Sequence, residues 1–319
     1  MRTPLCELLA IDAPVIQASI GPWTSAELSA AVCEAGGLGS LGTALRSADQ
    51  VRADMARMRE LTERPFAVNH TVRPFDEAAF AAALEEPPAV VSLAIGRSAE
   101  LVDRVHAAGA LFMQQVHTVE QAREAADLGA DVIIAQGGEA GGFGGFVSTM
   151  ALVPQVVDAV SPVPVVAAGG IADGRGLAAA LTLGAQGVNI GTRFLACEET
   201  AIGEAWKRAI VDADSEDAVK VEFADAVFPP ATPGGYATLP RTLRTSFVDE
   251  WNARPDDARR EGARLGAELI AAARAGRADE LVPFAGQTAG MIHDVLPAAE
   301  IVAGMVREAE RALGPAAAR

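Results

Sequence analysis

The chain has 319 residues, 50% of them hydrophobic and 21% charged, with a mean hydropathy of +0.22. That length fits about two domains, or one α/β barrel with an extension, and the composition excludes a disordered or low-complexity chain. Its 26 basic and 42 acidic residues give a net charge of −16, which argues against nucleic acid or an anionic membrane as a general partner. No stretch approaches the ~18 uninterrupted apolar residues of a membrane span, and Met1 to Ala10 lacks the apolar core of a signal peptide. Cys6, Cys33 and Cys197 are odd in number and far apart, without metal-type spacing. The expectation is a cytoplasmic protein with reduced thiols and no metal site.

Short apolar, β-branched runs alternate with Ala-rich helical patterns through the first two hundred residues. The strand candidates are 13–17, 37–41, 65–69, 89–93, 110–116, 131–135, 163–168 and 186–190. Helical patterns lie between them near 25–35, 47–62, 76–84, 97–108, 118–128, 149–160 and 172–183. Several end in glycine, as helix C-termini do: Ala35-Gly36-Gly37, Ala108-Gly109, Leu128-Gly129 and Leu183-Gly184. Alternating β and α units imply a parallel sheet covered by helices, and eight strands predict a closed (β/α)8 TIM barrel over an open doubly wound sheet. Beyond residue 195 the pattern changes. Residues 198–212 read as helical and 213–247 as irregular, with Phe228-Pro229-Pro230 and Pro233-Gly234-Gly235. Residues 248–280 read as an Ala/Arg/Glu-rich helical stretch and 290–315 as a final helix. The organisation expected is a barrel over 1–197, a mostly helical cap over 198–285 and a closing C-terminal helix within 286–319, the cap helices being a candidate homodimer surface.

Function in a barrel sits at the C-terminal strand ends. After the sixth strand, residues 137–145 hold six glycines in nine, which suits backbone approaching a ligand or aiming N–H groups at an anion; the competing reading is a plain mobile loop. After the seventh strand comes Gly169-Gly170, and after the eighth Asn189-Ile190-Gly191-Thr192. Glycines at two successive strand ends match a barrel phosphate site and imply a phosphate-bearing cofactor or substrate. Asn69 and Gln115 end otherwise apolar strands, where an amide lines the pocket or caps the next helix. Ala18-Ser19-Ile20-Gly21 makes a small-residue turn after the first strand. Acid–base candidates are few: His70 and His117 follow strands three and five, and Glu139 lies inside the glycine run. His106 falls on a helix surface, His293 is expected in the last helix, and no nucleophilic triad is legible.

Ala135-Gln136-Gly137-Gly138-Glu139-Ala140-Gly141-Gly142, the segment Ala167 to Ile171, Val188 to Phe194 and the closing Gly286-Gln287-Thr288-Ala289-Gly290 together resemble the nitronate monooxygenase family, once called 2-nitropropane dioxygenases. That family is related to flavin-type enoyl-ACP reductases. The likeness spans Pro14 to about Met305. It implies a TIM barrel binding FMN, with Asn69, Gln115, Gln136, Gly141, Gly170, Asn189, Ile190, Gly191 and Thr192 as cofactor contacts, and Gly170, Gly191 and Thr192 at the phosphate. One departure stands out. Family members usually carry a histidine after Glu-Ala-Gly-Gly, and this chain has Phe143, which can neither exchange a proton nor donate a hydrogen bond. The resemblance therefore implies an oxidoreductase that turns alkyl nitronates and dioxygen into a carbonyl compound and nitrite. The alternatives are an NAD(P)H-dependent enoyl or quinone reductase, an acyl-CoA dehydrogenase, or a catalytically weak FMN-binding homologue. A phosphate-sugar barrel enzyme without flavin is a further alternative. The substrate expected is a small molecule, a nitronate or an acyl thioester.

Overall fold

Period-two alternation decides which way each barrel strand faces. The computed structural model describes residues 1–72, 74–228 and 236–314. Its strands are β1 (Val15–Gln17), β2 (Ser40–Gly42), β3 (Ala67–Thr71), β4 (Val90–Ala94), β5 (Leu111–Val116), β6 (Val132–Gln136), β7 (Gly142–Gly144), β8 (Val165–Ala168), β9 (Gly187–Ile190), β10 (Ala218–Lys220) and β11 (Leu239–Leu243). Eight of them form one parallel sheet in the order β1-β9-β8-β6-β5-β4-β3-β2, and a parallel bridge from Ile16 to Leu38 joins its two ends. This is the TIM barrel that eight βα units predicted. In β6, Ile133 and Ala135 pack outward with Leu152 and Val156, while Val132 and Ile134 join Ile16, Ala67, Val90, Met113 and Val166 inside.

The helices begin where the sequence supplies caps. Ser25, Ser47, Asp76, Ser98 and Thr118 each accept a hydrogen bond from the N–H three residues on, an arrangement worth about 1 kcal/mol apiece. The N-terminal helix Pro4–Leu9, which the sequence pattern did not reveal, plugs the barrel floor with Leu5, Cys6 and Leu9. Burying each leucine contributes roughly 1.5–3 kcal/mol.

Past β9 the structure corrects several expectations. The helix read over 198–212 is only Glu204–Val211. Residues 213–247 are not merely irregular: β10 and β11 pair antiparallel, and β11 also pairs with β7 from the glycine run. The stretch 248–280 is two helices, Ser246–Asn252 and Pro255–Arg274, broken where Pro255 starts the second. The final helix is Ala298–Leu313 and packs against Gly174–Thr182 and Ala26–Glu34, closing the helical ring. Pro297, at its N-cap, explains the late start. His293 therefore lies before this helix, exposed. Pro229-Pro230 and Pro233-Gly234-Gly235, part of the stretch read as irregular, lie outside the described residues. Among the described residues no helix is long and apolar enough to cross a membrane, and no cluster of His, Cys, Asp or Glu could hold a metal ion.

Candidate active site

Because strands β3, β4, β5, β6 and β9 alternate, inward positions near their C-terminal ends fall on Asn69, Ser92, Gln115, Gln136 and Asn189. All five line a pocket of about 200 Å³ at the barrel mouth, together with Gly141, Gly170, Gly191 and Thr192. Asn69 Nδ2 donates to Ser92 Oγ at 2.8 Å, and Gln115 Nε2 to Gln136 Oε1 at 3.0 Å. Of the residues expected at the cofactor, Ile190 is the exception: its side chain is buried among the outward-facing residues. Ser92 escaped the sequence reading, although a polar residue in an apolar strand is the same signal as Asn69.

At the ends of β8 and β9 the backbone is open. Gly170 has φ +74°, a conformation that favours glycine. Among the described residues no backbone acceptor pairs with the N–H groups of Gly170, Gly191 or Thr192. A Cβ on Gly191 would meet nothing nearer than 3.9 Å, so the cradle has room for a group larger than a water.

The glycine run itself is pinned rather than mobile. A Cβ on Gly141 would sit 2.5 Å from the Ala285 carbonyl carbon, so this glycine is required by packing. Gln287 N donates to Glu139 O at 2.9 Å. The Glu139 carboxylate accepts from Thr149 N and Thr149 Oγ1, all at 3.0 Å, bracing the loop on the start of helix Thr149–Val160. Arg241 Nη2 donates to Gly138 O at 3.0 Å, and Lys220 Nζ to Gly145 O at 3.3 Å. Burial and then the neighbouring Arg241 bring the Lys220 ammonium down to about 8.

The two candidate histidines do not reach the barrel-mouth pocket. His70 faces outward from β3, where Phe80 meets it edge-on at 5.0 Å and Thr43 Oγ1 lies 2.8 Å from its Nδ1. His117 lies behind Gly145 and against Tyr236, at 6.1 Å between ring centres. Burial pushes both imidazoles down to about 4, so both are neutral at pH 7. His106 is exposed and pairs with Asp131 at 3.0 Å. Among the described residues lining the barrel-mouth pocket there is no His, Asp, Glu, Lys or Arg. Its polarity comes from amides, hydroxyls and backbone.

Phe143 stands between this pocket and a much larger cleft of about 1210 Å³ beneath the cap; Gly21, Trp23 and Phe284 also line both. Ring centres run from Phe228 to Phe143 at 4.9 Å, to Phe284 at 5.9 Å, to Trp23 at 5.9 Å and to Trp206 at 5.1 Å. The first three rings come from different cap and loop segments, and no local pattern announced them. Trp23 was findable as an aromatic directly after the small-residue turn that ends β1.

The profile described as nitronate monooxygenase matches residues 2–81 and 73–308. The chain belongs to the nitronate monooxygenase family, and with it to the oxidoreductases. It is 38% identical over 254 residues to a Mycobacterium tuberculosis protein named (3aS,4S,5R,7aS)-5-hydroxy-7a-methyl-1-oxo-octahydro-1H-indene-4-carboxyl-CoA dehydrogenase, covering 78% of this chain and 68% of that one. It is 34% identical over 296 residues to a nitronate monooxygenase of Paraburkholderia phytofirmans, covering 77% and 78%. Among solved structures, FabK from Thermotoga maritima superposes with a TM-score of 0.88 at 32% identity, over 98% of this chain and 97% of that one. Where the sequence resemblance led to the expectation of a histidine, Phe143 stands as one ring of an apolar wall.

Proposed function

We propose that this protein is an FMN-dependent oxidoreductase whose cofactor occupies the barrel-mouth pocket and whose substrate is a bulky, apolar acyl thioester held in the adjoining cleft. The observation that carries this reading is the cleft of about 1210 Å³ opening onto the pocket across Phe143 and Phe284. A small alkyl nitronate needs no such space.

The residues present fit FMN. Gly170, Gly191 and Thr192 would receive the phosphate on N–H groups that lack backbone acceptors, as helix and loop N–H donors do in barrel phosphate sites. Asn69, Gln115 and Gln136 would present amides, and Gly141 backbone, to the ring system. Bound FMN supplies two-electron redox chemistry. The chain's own part is then orientation and exclusion of water: the aromatic wall dries one side, and the neutral amides hold polar edges without exchanging protons. With no acid or base lining the pocket, the protein cannot take a proton from a carbon there. A proton exchanged by the substrate would pass through solvent or through the titratable groups that line the adjoining cleft, His70 and Asp76 among them.

That same feature favours one second reading, nitronate oxidation with dioxygen, because a nitronate arrives already deprotonated. The P. phytofirmans relative supports it; the M. tuberculosis relative, named for a carboxyl-CoA substrate, supports the first. An anaerobic titration followed through the flavin absorption separates them. The expected result is bleaching by NAD(P)H that is reversed by an enoyl-CoA, with no rapid bleaching by propionate 3-nitronate. Rapid bleaching by the nitronate alone reverses the order of the two readings. A purified protein that takes up no FMN overturns both and points to a phosphate-sugar barrel without flavin.

A further inference from the structure

Exposed apolar side chains are not scattered over this molecule. Six large ones are exposed among the described residues; Leu45, Phe146 and Ile270, at 47, 72 and 45%, line the cleft, Val147 follows Phe146 directly, and Met150 lies in the first turn of the next helix. Only Leu8 stands apart. Apolar surface gathered in one place on a soluble domain marks a binding site. The three lining residues come from separate segments: the turn after β2, the loop after β7 and the cap helix Pro255–Arg274. On that helix Gly266, Ile270 and Arg274 recur every fourth residue, so they share one face, and all three line the cleft. Arg274 ends that face.

The charges at the cleft are Arg46, Arg259, Arg274, Asp76, Glu222 and Asp225. Most are already engaged. Arg46 pairs with Asp54 at 3.1 Å and donates to Pro22 O at 3.3 Å. Arg259 pairs with Asp225 at 3.0 Å and Asp256 at 2.7 Å. Asp76 accepts from Ala79 N at 3.0 Å, capping its helix. Arg274 is exposed, and among the described residues no acidic side chain pairs with it. One open guanidinium beside an apolar ring suits a single phosphate, which it can hold bidentately. It does not make the basic patch that would receive an acidic carrier protein, and a net charge of −16 opposes such a partner.

Resting on the thioester reading above, we propose that Leu45, Phe146 and Ile270 form an entry ring for the apolar acyl body, that Arg274 binds a phosphate of a coenzyme A handle, and that the substrate therefore arrives as a free coenzyme A thioester rather than on a carrier protein. The ring gives length and bulk selectivity, because a short acyl group would pass it without contact. Arg274 sets only the handle, being at the outer end of the helix face.

The test is equilibrium binding to the FMN-loaded protein without reductant, by calorimetry, using decanoyl-CoA, decanoyl-pantetheine and decanoyl-acyl carrier protein. Phe146→Ser is expected to weaken both small thioesters by about tenfold or more, the effect of losing one buried aromatic contact. Arg274→Glu is expected to weaken decanoyl-CoA about tenfold at low salt and leave decanoyl-pantetheine unchanged, since only the former carries phosphates. The flavin absorption spectrum of each variant reports that the loaded protein is intact. Unchanged decanoyl-CoA binding in both variants overturns the proposal, and so does tighter binding of the carrier-protein conjugate, which would leave the thioester reading standing. Failure to bind any of the three removes the thioester reading as well.

Discussion

The barrel-mouth pocket and the cleft beneath the cap touch through Phe143, yet they are built on opposite principles. The first is small, polar and without a titratable side chain, and its lining comes mainly from strand ends and the glycine turns behind them. The second is six times larger by volume, about 1210 against 200 Å³, mostly apolar, and assembled from segments far apart in the chain. A regular scaffold fixes the position of a group to be held in one geometry. An apolar cleft walled by a cap can accept a body of variable shape. The difference supports the proposed division of cofactor and substrate between the two spaces, and substitutions on either side of Phe143 can break that proposal.

The largest effect is expected at the cradle. Gly170→Asp adds a second carboxylate beside the cradle, next to that of Glu139, at a residue with φ +74°. Gly170→Ala imposes the backbone strain, of order 1–2 kcal/mol, without the charge. Flavin retained through gel filtration measures both. FMN affinity should fall at least about a thousandfold in the aspartate variant and far less in the alanine variant, given the several kcal/mol at stake when like charges meet in a dry site. Equal losses would mean strain alone governs retention, and the phosphate would have to be sought elsewhere.

Next comes Phe143→His, which restores a proton acceptor at the boundary. The probe is a neutral nitroalkane, whose α-proton must leave before oxidation. The variant should gain roughly a hundredfold in flavin reduction, at the low end of what a positioned base contributes, and its rate should rise with pH through the histidine range near 6.5. No gain would show that position 143 does not face the reacting carbon, and would return Phe143 to the role of a cleft wall only.

The sequence exposed one space far better than the other, for a physical reason. Asn69 and Gln115 are visible because each is a polar amide at the end of an apolar run, and period two carries that mark to the inner face; Gln136 and Asn189 are reached through the family motif. The same period would have turned His70 and Ile190 outward had it been applied to them. The cap offers no such local record. β7 reads Gly-Phe-Gly, poor in β-propensity, and becomes a strand because Arg241 and Pro240 of β11 pair with Gly142 and Phe143 across about a hundred residues of chain. The glycines that seemed to offer freedom are needed there for close packing, as at Gly141 against Ala285. Phe228 and Phe284 join Phe143 only once that sheet exists. Some breaks were legible and missed: Pro255 and Pro297 each mark a helix start.

The smallest effect concerns two histidines outside the barrel-mouth pocket, His70, which lines the cleft, and His117. Both are held near 4 in the folded chain, by burial first; Asp76 partly opposes this at His70, and Lys220 adds to it at His117. An unfolded histidine titrates near 6.5. Between those values the unfolded chain binds more protons than the folded one, so stability is complete above pH 6.5 and is lost as the pH falls toward 4. Each histidine should remove about 2 kcal/mol by pH 5. Urea unfolding at pH 7.5, 6 and 5 should therefore show an acid loss that His70→Gln and His117→Leu each reduce. The two sites differ in what they anchor: His70 sits on β3 within the barrel wall, whereas His117 supports the glycine strand that ties cap to barrel. If His117→Leu flattens the acid response while flavin retention and thioester binding at pH 5 both improve, protonation at that seam loosens the boundary shared by the two spaces. An acid response that survives in the double variant would put the sensitive groups outside this seam and leave the boundary rigid across the pH range.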